Sequence, residues 1–238
     1  VFFATPPVDG VFQEYVAHEA DLCFKLPENV STMEGALIEP LAVGMHAANQ
    51  GGAHLGQTAV VTGAGCIGLV TLLSLKAMGV SNVIVVDIME KRLQKALELG
   101  ATAVINGKEE DTVAVLRSEE MYGDHGVDLV FEAAGAVFTA QQAVQIVSRG
   151  GKIMMVGTQS KPVPIDFLKI NREVTIQTSF RYCNNFPQTI EAISSGRFNV
   201  KDMVTNIYDY EDVQKAFEEA IDPVKKTEMV KGVIKVAE

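Results

Sequence analysis

Three features of the 238-residue sequence predict a doubly wound α/β fold built on a parallel sheet. From Gln57 onward, short β-branched runs alternate with helical segments, the runs are apolar without interruption, and glycines mark the junctions. Uninterrupted apolar runs suit strands covered on both faces, and strand–helix alternation supplies the crossovers that parallel strands require.

Six strands are expected: Thr58–Thr62, Val83–Asp87, Ala103–Ile105, Val127–Phe131, Gly151–Val156 and Val174–Thr178. Helices are expected over Ile67–Met78, stopped by Gly79, over Lys91–Leu99, stopped by Gly100, along the acidic stretch 109–121, and between the fourth and fifth strands. Before this unit, residues 1–30 read as short strands and turns, with Val11–Val16 as one β element. Ser31-Thr32-Met33-Glu34 is a capping box that opens a helical segment interrupted at Glu39-Pro40, and a second helical run covers Leu41–Asn49. After Phe180 come helices over Pro187–Ser195 and Glu211–Ile221 and a strand over Gly232–Val236. This tail does not extend the six-strand pattern and is expected to pack with residues 1–41 as the remains of a second domain.

Composition narrows the function. Hydrophobic residues make up 47% and charged residues 21% of the chain, an ordinary globular profile. No apolar run approaches the roughly 18 residues that span a bilayer. A net charge of −10 argues against a nucleic-acid partner, which would demand clustered Lys and Arg. Cys23, Cys66 and Cys183 are too scattered for a disulfide framework or a Cys-x-x-Cys metal site, so reduced thiols in a cytoplasmic protein are expected. The chain opens without Met in strand-like sequence, which suggests residues upstream.

Gly63-Ala64-Gly65-Cys66-Ile67-Gly68 has the spacing Gly-x-Gly-x-x-Gly between an expected strand and an expected helix. In that setting the first glycine permits a tight turn and the second lets backbone approach a pyrophosphate. The third allows close helix–strand packing, while the helix N–H groups face the phosphates. Asp87 follows Gly68 by 19 residues and ends the second strand, where a carboxylate accepts ribose hydroxyls and repels the extra phosphate of NADP. NAD is the expected cofactor. Lys91 and Arg92 keep NADP open, although Lys91 reads better as a solvated helix face, and FAD and S-adenosylmethionine are the other ligands such a sheet accepts. Val156-Gly157-Thr158 follows the fifth strand, where the nicotinamide would lie, and Glu132-Ala133-Ala134-Gly135 ends the fourth, with a structural role and a ligand contact equally open.

Four segments together resemble the sorbitol dehydrogenase branch of the zinc-type medium-chain dehydrogenases/reductases. They are Phe3–Pro7, Gly35–His46, the glycine loop, and Phe180-Arg181-Tyr182-Cys183-Asn184. The resemblance covers essentially the whole chain, and the Arg-Tyr pair points to polyols rather than to the threonine or simple-alcohol branches. It implies a mainly β, GroES-like catalytic domain around the Rossmann domain, hence remnants of the former at residues 1–41 and 181–238 and NAD binding at residues 42–180. It implies NAD contacts from Ile67, Asp87, Arg92, Val156 to Thr158 and Ser179 to Arg181. Glu39 would stand at the zinc site, as a ligand or through water, and beside the substrate with a catalytic role. Arg181 and Tyr182 would orient polyol hydroxyls, and relatives are commonly homo-oligomers, tetramers among them.

One departure qualifies this. The family holds catalytic zinc with a Cys and a His-Glu pair upstream of the matched region, and the four-cysteine structural zinc lobe of some relatives is missing as well. His18-Glu19 lies in a segment downstream of the family's ligands, and adjacent residues on a strand would face opposite ways, so it is read as a decoy. Cys23 is read as a buried thiol, and His46, His54 and His125 as surface or packing residues. The reading is an NAD-dependent polyol oxidoreductase from which the main zinc ligands are missing. An alcohol or threonine dehydrogenase and a non-catalytic NAD-binding module are the alternatives.

Overall fold

The structure, a computed structural model, describes residues 3–170 and 173–236. Residues 1 and 2 of the expected extended opening lie outside the described residues. In chain order the elements are α1 (Thr32–Gly35), α2 (Ile38–Gly51), β1 (Thr58–Thr62), α3 (Cys66–Ala77), β2 (Asn82–Asp87), α4 (Glu90–Glu98) and β3 (Ala103–Asn106). They continue as α5 (Thr112–Leu116), β4 (Val127–Glu132), α6 (Val137–Ile146), β5 (Val147–Met155), β6 (Thr175–Thr178), α7 (Phe186–Ser194), β7 (Val204–Asp209), α8 (Val213–Ile221) and β8 (Lys231–Lys235).

The first six strands form one parallel sheet in the order β3-β2-β1-β4-β5-β6. The order reverses direction between β1 and β4, which opens a crevice at the carboxyl ends of those strands. All five residues of β1 are buried. Strand alternation sends Val60, Ile84, Val130 and Ile153 into one core with Leu116 and Ile146. Val61, Val85, Phe131 and Met154 enter another with Leu41, Leu69 and Leu72. Both faces are therefore dry, as the apolar runs required.

Several expectations are corrected. Val11–Val16 forms no strand, and Val11, Phe12, Tyr15 and Val16 are exposed, because no neighbouring strand offers this segment a ladder. His18 and Glu19 accordingly do not lie on a strand. Glu39-Pro40 does not interrupt a helix but sits inside the first turn of α2, where proline's missing N–H would have had no intrahelical partner. The acidic stretch 109–121 yields only α5, capped by Asp111, whose side chain accepts from Val113 and Ala114 N–H groups. The tail holds a strand that was not anticipated: β7 pairs in parallel with β8. In β7 exposed and covered positions alternate and only Tyr208 is fully buried, so its apolar signal is thin.

The capping box is formed: Ser31 Oγ accepts from Glu34 N–H, and the Glu34 carboxylate accepts from Ser31 N–H at 2.9 Å. The Ser31 hydroxyl, more than the partial burial that opposes it, holds the Glu34 carboxyl below the usual carboxylate range. The two ends of the chain join the sheet's core, since Val30, Leu37, Ile190, Ile193, Phe198 and Met203 belong to the cluster containing Val61 and Leu69. The tail also reaches α4, where Lys91 pairs with Glu228 and Arg92 Nη2 donates to the Lys226 carbonyl at 3.2 Å. Among the described residues no helix is long and apolar enough to cross a membrane.

Helices α2 and α3 cross closely at Gly44. A Cβ added there would lie 2.5 Å from the Val70 carbonyl oxygen and 2.8 Å from Thr71 N, both backbone atoms. Gly44→Ala must push the helices apart, and a loss of about 1–3 kcal/mol is expected, the usual cost of overpacking. Urea unfolding measures it, and an unchanged midpoint would show that this crossing is not tightly constrained.

Candidate functional site

The loop from β1 to α3 is shaped by its three glycines. Gly63 has φ +97°, and a Cβ on it would meet Ala134 N at 2.9 Å. A Cβ on Gly68 would stand 1.7 Å from the Gly63 carbonyl oxygen, so only glycine lets the first turn of α3 lie on the strand end. A Cβ on Gly65 would meet nothing within 4 Å: that glycine borders open space at the start of a 12-residue helix. The first-turn N–H groups of α3 have no intrahelical acceptors, and the helix dipole adds partial positive charge there. This cradle fits a pyrophosphate. Ile67 is half-buried in the first turn.

Asp87 ends β2 beside the loop. Its Oδ2 accepts from Ala64 N–H at 2.6 Å, and its Oδ1 accepts from Ile88 and Met89 N–H at 2.8 and 2.9 Å. A carboxylate offers about four acceptor positions, so about one remains for a ribose hydroxyl. The same side chain therefore orients the glycine loop and keeps about one acceptor position open. Arg92 turns toward the tail through Lys226, and its Nε is buried without a partner. Lys91 is exposed and paired with Glu228, in keeping with a solvated helix face.

Across the crevice, the turns after β4, β5 and β6 form the other wall. Val156 and Gly157 N–H groups both donate to the Glu132 carbonyl at 2.8 Å. A Cβ on Gly157 would meet Gly135 N at 2.4 Å, which brings these two turns into direct contact, and Thr158 stands exposed beyond them. Ser179 is buried, and its hydroxyl has no protein partner; the same holds for Thr62 Oγ1 at the end of β1 and Gln159 Oε1 after β5. Buried polar atoms are almost always satisfied, so these orphans at the ends of β1, β5 and β6 make the crevice a candidate place for a polar ligand. Phe180 is 78% exposed, and the Arg181 guanidinium lies 5.6 Å from its ring centroid. Arg181 has φ +53°, and its Nη2 donates to Thr5 Oγ1 at 3.1 Å, joining the two ends of the chain.

Glu39, in the first turn of α2, is exposed and neighbours Tyr182. Burial, followed by the Glu39 charge and a hydrogen bond to it, pushes the Tyr182 phenol up. Burial likewise raises the Cys66 thiol, with Lys231 opposing and Glu39 adding to the shift. Glu39, Tyr182 and the glycine loop thus share one neighbourhood. Tyr182 also packs on Phe186, with ring centroids 5.1 Å apart.

The residues present do not fit a zinc ion. Among the described residues there is no group of three His, Cys, Asp or Glu side chains placed to hold a metal, so Glu39 has no companions for that role. His18 stacks on Phe3, with centroids 4.8 Å apart. Cys23, expected to be buried, is exposed, with its thiol 3.5 Å from the Glu19 carbonyl; the missing strand around it leaves nothing to cover it. Two residues of the crevice wall escaped sequence reasoning in their detail. In the sequence Glu132 reads only as part of a strand end, and Gln159 carries no signal beyond following Val156-Gly157-Thr158.

Comparison with known proteins agrees with this geometry. Residues 66–195 match the family model described as zinc-binding dehydrogenase. The chain is 55% identical over 238 residues to an uncharacterized zinc-type alcohol dehydrogenase-like protein, YdjJ, of Escherichia coli K12, covering all of this chain and 67% of that protein. It is 41% identical over 218 residues to human sorbitol dehydrogenase, covering 91% of this chain and 61% of that one. An E. coli oxidoreductase/dehydrogenase of unknown specificity superposes with a TM-score of 0.94 at 53% identity, over 98% of this chain and 66% of the other. An alcohol dehydrogenase from E. coli CFT073 complexed with NADH superposes at 0.88 and 29% identity, over 94% and 66%. This chain therefore spans 61–67% of the length of these proteins. With a family match over more than half its length and relatives of this identity, the chain belongs to the zinc-binding dehydrogenases, an oxidoreductase family whose cofactors are NAD and zinc.

Proposed function

We propose that this chain is the NAD-binding part of a polyol dehydrogenase that oxidises the C2 alcohol of a substrate such as sorbitol. Residues 42–180 hold the cofactor, and residues 1–41 and 181–238 belong to the catalytic unit. The observation that carries the reading is the cradle itself: Gly68 packed on Gly63, Gly65 open to space, and Asp87 set against the loop.

Bound there, NAD supplies the hydride acceptor. The chain's own residues bind and orient. First-turn amides of α3 near Ile67 neutralise phosphate charge, and the free acceptor position of Asp87 takes a ribose hydroxyl. Val156 to Thr158 and Ser179 to Arg181 line the nicotinamide end, with the Ser179 hydroxyl gaining the partner it otherwise lacks. Glu39 and Tyr182 form the substrate edge, where the carboxylate lies close enough to the phenol to help push it up, and Arg181 supplies a cation to polyol oxygens. The polyol preference rests on the Arg181-Tyr182 pair and on the likeness to sorbitol dehydrogenase. No step is assigned to zinc, whose donors are not assembled among the described residues.

Two measurements test this reading. Titration with NADH and NADPH should show a clear preference for NADH, and Asp87→Ala should narrow that preference by about tenfold or more, equivalent to about 1.4 kcal/mol. An unchanged ratio would remove Asp87 as the ribose acceptor. In steady-state oxidation of sorbitol, xylitol, threonine and simple alcohols by the complete dehydrogenase of which this chain is proposed to be part, Tyr182→Phe should raise the KM for polyols while leaving NADH affinity alone. A preference for threonine, or a Tyr182→Phe variant with the parent KM, would overturn the polyol assignment.

A further inference from the structure

The Glu132 carboxylate is fully buried at the end of β4, yet no part of the function above uses it. Its Oε1 accepts from Ala134 N–H at 3.0 Å, Gly135 N–H at 2.9 Å and the Thr139 hydroxyl at 2.7 Å. Its Oε2 accepts from Gln159 Nε2 at 2.7 Å. One oxygen therefore organises the β4–α6 turn, and the other reaches across to the turn after β5. A carboxylate can only accept, so it dictates which end of the Gln159 amide faces it, and the amide oxygen is left buried and unpartnered. Burying a carboxylate is costly unless every position is matched, and four short hydrogen bonds meet that demand without a cation.

We propose that Glu132 is a positioning residue for the nicotinamide half of the cofactor. It clasps the β4 and β5 turns together and holds Gln159 with its amide oxygen free to accept a hydrogen bond from the bound dinucleotide. The inference rests on the cofactor reading given above and adds to it a pair of residues with a defined polarity. The ligand group that meets Gln159 must be a donor, and the donor on the nicotinamide itself is its carboxamide N–H.

Polarity makes the idea testable, because glutamine at 132 can meet Gln159 only by turning that amide over, which leaves a donor where an acceptor stood. NADH and ADP-ribose binding to the 238-residue chain are measured by calorimetry for the parent, Glu132→Gln, Gln159→Ala and the exchange variant Glu132→Gln/Gln159→Glu, alongside thermal midpoints. Both single variants should bind NADH about tenfold more weakly, the worth of about one hydrogen bond, while ADP-ribose, which lacks the nicotinamide, stays within about twofold. The exchange variant restores both the clasp and the acceptor, and should recover most of the NADH affinity. The proposal is overturned if both single variants bind NADH as the parent does, if NADH and ADP-ribose weaken equally, or if the exchange variant recovers nothing. A parent chain that binds neither ligand would instead overturn the cofactor site itself.

Discussion

The contact between Gly68 and the Gly63 carbonyl governs this molecule. It is the point where β1 stops and α3 begins with no room between them, so the first turn of the helix opens at the carboxyl edge of the sheet. Pulled back by a single methyl group, α3 would present its amides elsewhere, and the two other features of the crevice would lose their common focus. Asp87 fixes the loop from one side through Ala64, and Ala134 of the β4 turn packs against Gly63 from the other. A backbone cradle is thus gripped by two neighbouring strand ends.

That grip depends on a sheet dry on both faces. Valine and isoleucine side chains from β1, β2, β4 and β5 divide between two cores, and each core carries its own helices. The segments at either end of the chain are not loose additions. Leu37, Leu41 and Met45 meet Ile190, Ile193 and Met203 inside the core that also holds α3, so residues near Glu39 and Tyr182 are positioned by the framework that sets the glycine loop. Apolar exposure occurs at these ends, at Phe12, Phe24, Phe217 and Ile221, and also along the sheet unit, at Leu55, Ile88, Phe138, Phe167 and Leu168.

The crevice mixes two strategies for polar groups. Glu132 and Asp87 are spent largely on protein N–H groups, which gives the loops a defined shape before any ligand arrives. Thr62, Gln159 and Ser179 instead leave buried oxygens with nothing to bond. Carboxylates whose oxygens are already met by protein donors thus stand beside hydroxyls and an amide oxygen that are not, an arrangement suited to hydrogen-bonding groups of a polar ligand.

Periodicity and local chemistry determined the six strands of the main sheet, their parallel pairing, the glycine loop, the place of Asp87 at the end of β2 and the capping box at Ser31, because each is written within a few neighbouring residues. Family likeness supplied the expectation that Arg181, Tyr182 and Glu39 share one site, and in the structure Tyr182 neighbours both Glu39 and Arg181. Tertiary structure alone decided the rest. Pro40 enters a helix only because it falls in the first turn, and Val11–Val16 bends at Gln13 and Glu14 without pairing because no partner strand reaches it. The β7 strand exists through its ladder to β8, and Cys23 is exposed because nothing packs over it. The Glu132–Gln159 clasp joins residues 27 apart through the gap between two strand ends, and a hydrogen bond of that kind leaves no trace in spacing or composition.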